Sequence, residues 1–232
     1  MKPTKTTGSR LSIDKKGHRD SISRFIKSQA GNIRGKVLDV GCGNMPYREL
    51  ILSSNTKVME YLGLDLESNY IDRKIIPDLT WDGVRIPLPD QSVDFALATE
   101  VLEHCPDTKL IVSEIHRVLR PNGTLLFTVP FLWPLHEVPY DYFRLTPFTL
   151  RNILSETGFR HIDVKMLGGW DASLAQMLGL WVVRRPGMNR FLRKLLKLIF
   201  KPIIWMLRKI DARPAEFVEG QMITGIGGVA GK

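Results

Sequence analysis

The chain has 232 residues, 44% of them hydrophobic, enough for one large domain with a substantial core or for one domain with an appendage. Its two cysteines, Cys42 and Cys105, lie in apolar-flanked segments with no secretory signal ahead of them, which excludes a disulfide scaffold and points to reduced thiols in a cytosolic compartment. The net charge of +9 is concentrated, because residues 184–210 carry nine Arg or Lys and no acid, leaving the rest of the chain neutral overall.

The first 20 residues are polar and basic and lack the apolar segment of a signal peptide, so residues 1–16 read as a flexible lead. No stretch approaches the ~18–20 apolar residues that span a bilayer. In DSISRFIKSQAG, Ile22, Phe25 and Ile26 mark a short helix. Short apolar runs then predict strands near 36–41, 60–66, 93–99, 123–129 and 160–167, with a weaker one near 77–81. Between them, PDTKLIVSEIHRVLRPNG places Leu110, Ile111, Ile115, Val118 and Leu119 on one helical face that Pro121-Asn122-Gly123 stops. A second helix takes Thr146 as N-cap, Pro147 at its first position, a Leu150, Ile153, Leu154 stripe and Gly158 as its stop.

This alternation from 36 to 169 favours a parallel sheet with crossover helices. Residues 171–214 break the rhythm, Leu- and Arg-rich with a kink expected at Pro202, as one helix or two. MITGIGGVAG then supplies a final strand. The expected organisation is a lead over 1–16, an α/β core over 17–170, a basic amphipathic insertion over 171–214, and 215–232 returning to complete the sheet.

VLDVGCGNMPYREL follows the first strand. A dinucleotide loop wants a third glycine after G-x-G, and Pro46 stands there instead. Asp39 precedes the glycines Gly41 and Gly43, Asp65 ends the second strand 22 residues after Gly43, where an acid accepts both ribose hydroxyls, and Asp82 precedes an Ile86-Pro87-Leu88 turn. Acids recur at successive strand ends. Such a ring repels a pyrophosphate, since like charges about 4 Å apart interact by a few kcal/mol at intermediate dielectric. It attracts a sulfonium: S-adenosylmethionine carries a positive sulfur, an ammonium and a ribose, and no phosphate.

VLDVGCG, LGLD, WDGVRIPLPDQSVDFALATEVLEH and LRPNGTLLFTVP, in that order, resemble the class I S-adenosylmethionine-dependent methyltransferases, particularly the type 11 small-molecule group, over roughly residues 20–169. The resemblance implies a Rossmann-like seven-stranded, mostly parallel sheet with helices on both faces and a reversed last strand. It implies that Asp39, Gly41 and Gly43 shape the methionine side of the cofactor pocket, that Asp65 binds ribose, that Asp82 accepts from the adenine amino group with Gly83 beside it, and that Glu100 lines the reactive end. A subset of the family carries a His-Glu pair and a Tyr/Phe-Arg after the fifth strand. That match makes His136 and Glu137 the catalytic candidates and Tyr140, Asp141 and Arg144 the substrate-binding ones.

His136 has two readings, a base that takes a proton from the acceptor or a loop histidine that binds substrate or packs on Trp133. His104 begins a helix, where a structural role competes with a catalytic one. The histidines and cysteines show no zinc-type spacing, so no metal is expected. In the basic stretch, Phe191, Leu192, Leu195, Leu196, Ile199, Ile203, Trp205, Met206 and Leu207 supply an apolar face and Arg193, Lys194, Lys197, Lys201, Arg208 and Lys209 supply charge. A helix of that kind suits the anionic headgroup plane; the competing uses are a cap on the sheet or a dimer contact, while nucleic acid is disfavoured by the lack of stacking aromatics. The sequence thus leads to a cytoplasmic methyltransferase, peripheral at the inner membrane face, acting on a small-molecule, glycan or lipid-linked acceptor. A noncatalytic scaffold on the same fold, and an NAD-dependent oxidoreductase, are the alternatives.

Overall fold

The structure is a computed structural model and describes residues 12–54, 57–66 and 75–232. Seven strands form one sheet in the order β3-β2-β1-β4-β5-β7-β6. They are β1 (Gly35–Val40), β2 (Val58–Leu66), β3 (Leu79–Trp81), β4 (Val93–Thr99), β5 (Leu119–Pro130), β6 (Arg160–Met166) and β7 (Gly225–Gly231). The first five run parallel, and β7 inserts antiparallel between β5 and β6. The expected fold class is therefore the observed one.

Both faces of the sheet are covered. One carries α1 (Ile13–Gln29) and α2 (Arg48–Ser54), whose Ile22, Phe25, Ile26 and Ile51 pack with Val37, Phe95, Leu97 and Leu126. The other carries α3 (Thr108–Val118) and α4 (Pro147–Glu156), whose Ile111, Ile115, Leu150 and Leu154 pack with Leu38, Val40, Ala96 and Phe127. Asp107 caps α3 by accepting from the Leu110 amide, and Thr146 caps α4 by accepting from Thr149. Gly158 stops α4 with φ +96°.

Four expectations shift. The helix before β1 runs 17 residues, so Ile13–Lys16 belong to it and not to a flexible lead; the remainder of that lead, residues 1–11, lies outside the described residues. The reason is Asp14, which is buried on α1 against the Arg184 guanidinium at 3.0 Å. Leu119 begins β5 instead of ending α3, so Pro121-Asn122-Gly123 lies inside the strand's span, with Asn122 at φ +64°. Leu110 is half exposed and does not share the buried face of α3.

The segment before β7 is two helices, α5 (Trp170–Arg184) and α6 (Arg190–Ile210), and α6 continues through Pro202. α5 packs on α1 and α6, and only Ile204 and Leu207 of α6 are buried.

The glycines of β7 are a packing requirement. A Cβ at Gly227 would stand 2.8 Å from the Phe25 ring on one face, and one at Gly228 would strike the Phe127 ring on the other. The last strand can enter the sheet only where both rings find a bare backbone. We expect Gly228→Val to destabilise the fold by about 1–3 kcal/mol or more through overpacking, measured as a lowered urea midpoint; an unchanged midpoint would contradict this packing.

Candidate active site

The strand order reverses between β1 and β4, and in open α/β sheets ligands sit at that reversal, beyond the carboxyl ends of the strands. β1 delivers Asp39 and then the Gly41-Cys42-Gly43 turn, in which Gly41 has φ +63° and Gly43 φ +54°. A Cβ at Gly41 would press on Val101, whereas one at Gly43 would meet none of the described residues within 4 Å, so the turn presents bare backbone there.

Four carboxylates converge behind this turn, each held differently. Asp39 is buried and accepts from the Tyr61 hydroxyl at 2.6 Å; burial, with Asp65 adding repulsion, pushes its pKa up to about 7. Asp65 accepts from the Gly43 amide at 2.9 Å and from the Leu66 amide at 2.8 Å, tying β2 to the glycine turn. Glu100, at φ +58°, binds His18 of α1 at 2.6 Å and the Thr128 hydroxyl at 3.0 Å. Burial opposes its charge, but His18 and Thr128 prevail and its pKa lies below the ordinary value. Glu103 is completely buried, and burial together with the Glu100 charge holds its pKa well above the usual carboxylate range.

His18 continues outward. Its ring stacks on Trp133 at 4.7 Å, and the Arg184 guanidinium lies 5.2 Å from the indole ring. Arg19 donates to the Tyr47 hydroxyl at 3.2 Å. Thus α1 and α5 meet the end of β4 through one stacked column.

The loop after β5 is folded by an internal ion pair. Asp141 accepts from Arg144 at 2.6 and 2.8 Å and from the His136 amide at 3.1 Å, and these contacts, Arg144 foremost, hold its carboxyl far below the usual range. Arg144 also reaches the Trp133 carbonyl at 3.3 Å. His136 Nδ1 lies 3.2 Å from Asp141, which places the proton on Nδ1 and the lone pair on Nε2. Burial lowers the pKa of His136 despite Asp141, keeping the ring neutral near pH 7.

Several candidates stand elsewhere than the sequence suggested. Asp141 and Arg144 spend their charges on each other, and the Tyr140 side chain is exposed while its carbonyl takes His104 Nδ1 at 2.9 Å. Glu137, at φ +51°, is exposed, and its backbone carbonyl accepts from the Tyr140 amide. The Asp82 carboxylate is exposed and caps its own turn, accepting from the Val84 and Arg85 amides at 2.8 and 2.9 Å, and Gly83 follows with φ +82°. Sequence reasoning missed His18, Tyr61 and Glu103, and it offered Trp133 as a packing partner of His136, whereas Trp133 stacks on His18; the i, i+4, i+8 spacing of Asp14, His18 and Ile22 on one face of α1 was the available signal for the first.

The fold, the bare turn and the acidic strand ends resemble those of class I S-adenosylmethionine-dependent methyltransferases. The model of the family described as "Methyltransferase domain" matches residues 38–127. A malonyl-[acyl-carrier protein] O-methyltransferase of Yersinia pestis is 35% identical over 97 residues, 40% of this chain and 35% of that protein. A demethylmenaquinone methyltransferase of Geobacillus kaustophilus is 26% identical over 139 residues, 54% of this chain and 58% of that protein. The chain thus spans about a third to just over half of the curated relatives it matches. Among solved structures, a SAM-dependent methyltransferase from Archaeoglobus fulgidus superposes with a TM-score of 0.57 at 19% identity over 96% of both chains. The [4+2]-cyclase SpnF does so with 0.58 at 18% identity, over 96% of this chain and 84% of that one. Both show the fold.

The residues present fit S-adenosylmethionine, since the acidic strand ends can accept from its ribose and ammonium groups, and bare backbone at Gly43 leaves room for it.

The raised pKa of Asp39 has a measurable sign. The native state keeps this proton up to about pH 7, whereas an unfolded Asp loses it near 4, so Asp39 stabilises most at low pH and that contribution falls as pH rises between those values. Denaturant midpoints of wild type and Asp39→Asn should therefore diverge in favour of the variant from pH 5 to pH 7; parallel profiles would contradict a buried, protonated Asp39. His18→Ala, which strips Glu100 of a buried partner, should cost about 3–5 kcal/mol in the same assay, and a loss under 1 kcal/mol would contradict the pair.

Proposed function

We propose that the protein is an S-adenosylmethionine-dependent methyltransferase that acts on a small-molecule or lipid-linked acceptor at an anionic membrane surface. The observation that carries the reading is the juxtaposition of Asp39, Asp65 and Glu100 with the glycine turn at the sheet's reversal point. Gly41 and Gly43 receive the methionine portion, with Asp39 behind them. Asp65 binds the ribose, Asp82-Gly83 flanks the adenine, and Glu100 stands at the reactive end. When bound, the cofactor supplies an electrophilic methyl on a positive sulfur. The chain's own contribution is alignment and desolvation, the larger part of catalysis when the attacking atom is already nucleophilic.

The acceptor side is the loop from Phe131 to Phe148, with His136 facing inward from it. The curated relatives named above are methyltransferases of malonyl-acyl-carrier protein and of demethylmenaquinone, and another match, 34% identical over 118 residues, is a sterol 24-C-methyltransferase of Gibberella zeae. Those names support an apolar or carrier-linked acceptor.

The surface part of the proposal rests on α6. Phe191 is 79% exposed, Leu198 73% and Trp205 64%, beside Arg193, Lys194, Lys197 and Lys201 with no acid in the helix. The apolar surface continues on α5, where Trp170, Leu174, Met177 and Trp181 recur at helical spacing and are exposed, and Trp181 meets Phe200 of α6 edge to face at 6.1 Å. Leu207, counted with the apolar face in sequence, is instead buried against the body. Among the described residues no helix is long and apolar enough to cross a membrane, so contact would be in the headgroup plane.

Calorimetry should find S-adenosylmethionine binding that weakens at least about tenfold in Asp65→Ala, a loss of about 1.4 kcal/mol; equal binding by the variant, or NADH bound in its place, would overturn the cofactor assignment. Flotation with anionic liposomes should recover the protein. Neutralising Arg193, Lys194 and Lys197 together should weaken it by about 3 kcal/mol, on the order of a hundredfold, and unchanged flotation would remove the membrane claim.

A further inference from the structure

Side chains from two separate segments converge beside the proposed pocket: Glu103 and His104, in the 3-10 turn Leu102–His104 after β4, and His136, in the loop after β5. Each offers one ligand atom, and the three atoms lie within 4.8 Å of one another. Glu103 Oε1 is 3.6 Å from His104 Nε2 and 3.9 Å from His136 Nε2. These separations are too long for hydrogen bonds. They are near the ~3.4 Å between neighbouring donors when each stands about 2.0–2.2 Å from a tetrahedral ion.

Two further observations point inward. Both carboxylate oxygens of Glu103 are buried with no hydrogen-bond partner among the described residues, a costly arrangement for a side chain that is only 1% exposed. Both histidines have their other nitrogen anchored: His104 Nδ1 by the Tyr140 carbonyl at 2.9 Å and His136 Nδ1 by Asp141 at 3.2 Å. A carbonyl and a carboxylate accept only, so each Nδ1 carries the proton and each Nε2 turns a lone pair toward Glu103. Outer partners of this kind fix the tautomer of metal-ligating histidines and orient the ring.

We propose that Glu103, His104 and His136 form a binding site for a divalent transition-metal ion of the zinc or iron class. Two imidazole nitrogens and one carboxylate suit such ions better than magnesium or calcium, which prefer all-oxygen shells. The histidines are each about one-fifth exposed while the carboxylate is buried. The protein therefore closes one side of the ion and leaves coordination positions to an oxygen of the acceptor or to water. A metal ligand and a general base are exclusive uses of the His136 lone pair. The convergence of His104 Nε2 and the unpartnered Glu103 oxygens on the same point assigns it to the ion.

The test uses full-length, tag-free protein stripped with chelator and titrated with Co²⁺ and Zn²⁺, read by the visible ligand-field absorption of Co²⁺ and by calorimetry. One equivalent should bind. His104→Ala and His136→Ala should each lose at least about tenfold to a hundredfold in affinity, with a changed Co²⁺ spectrum. Glu103→Gln should weaken binding as well, and because the two histidines are partly exposed their variants keep the test valid if that one does not fold. Absence of stoichiometric binding, or equal affinity and spectra in both folded histidine variants, would overturn the proposal. Neither readout involves S-adenosylmethionine, so failure here is distinct from failure of the methyltransferase reading.

Discussion

The constraint on which this molecule depends is the placement of four carboxylates, three of them buried, at one end of one sheet. Asp39 and Asp65 stand near the ends of the first and second strands and Glu100 and Glu103 follow the fourth, and each must be reconciled with limited access to water and with its like-charged neighbours. The chain uses a different device for each: a tyrosine hydroxyl for Asp39, two backbone amides for Asp65, and an imidazole with a threonine for Glu100. Among the described residues, the Glu103 carboxylate has no such hydrogen-bond partner. A protein built for stability alone would place aliphatic side chains here. The arrangement makes sense as a receptor for positive charge, and it explains why the loop that follows β1 dispenses with a third glycine, since there is no pyrophosphate to bring close to a helix.

The same constraint organises the helices around the sheet. α1 covers the β1 face, but its His18 is what completes Glu100, and the stack of His18, Trp133 and Arg184 links α1, the loop after β5 and α5. Arg184 then returns to Asp14 on α1. Burial alone would raise the Asp14 pKa, and hydrogen bonds from Ser12 and Arg184 bring it below the ordinary value. The helical segment before β7 is therefore electrostatically joined to the pocket wall at α5, while α6 offers most of its apolar residues to the outside.

Much of the architecture was legible because it is written in short-range patterns. Alternating apolar runs and capped helices located all seven strands and both crossover helices of one face, and Thr146-Pro147 with Gly158 marked α4 at both ends. The glycine turn and Asp65 were legible because their spacing along the chain reflects a single strand-turn-helix-strand unit. What escaped depends on tertiary contacts. Nothing local in HEVPYDYFR says that Asp141 and Arg144 will pair with each other, or that Asp82 will cap its own turn. Nor does any spacing bring residues 103, 104 and 136 together: their convergence follows from β4 and β5 being adjacent parallel strands whose ends open on the same side. α2 escaped because its seven residues are too few to establish a helical period.

The central claim is that the acidic strand ends around Gly41 and Gly43 receive a sulfonium donor, and a crystal structure with S-adenosylhomocysteine tests it most directly. The account predicts density for the ribose against the Asp65 carboxylate and for the amino acid portion over the glycine turn. A diphosphate-bearing ligand in that hollow, or a bound nucleoside whose sugar makes no contact with Asp65, would contradict it.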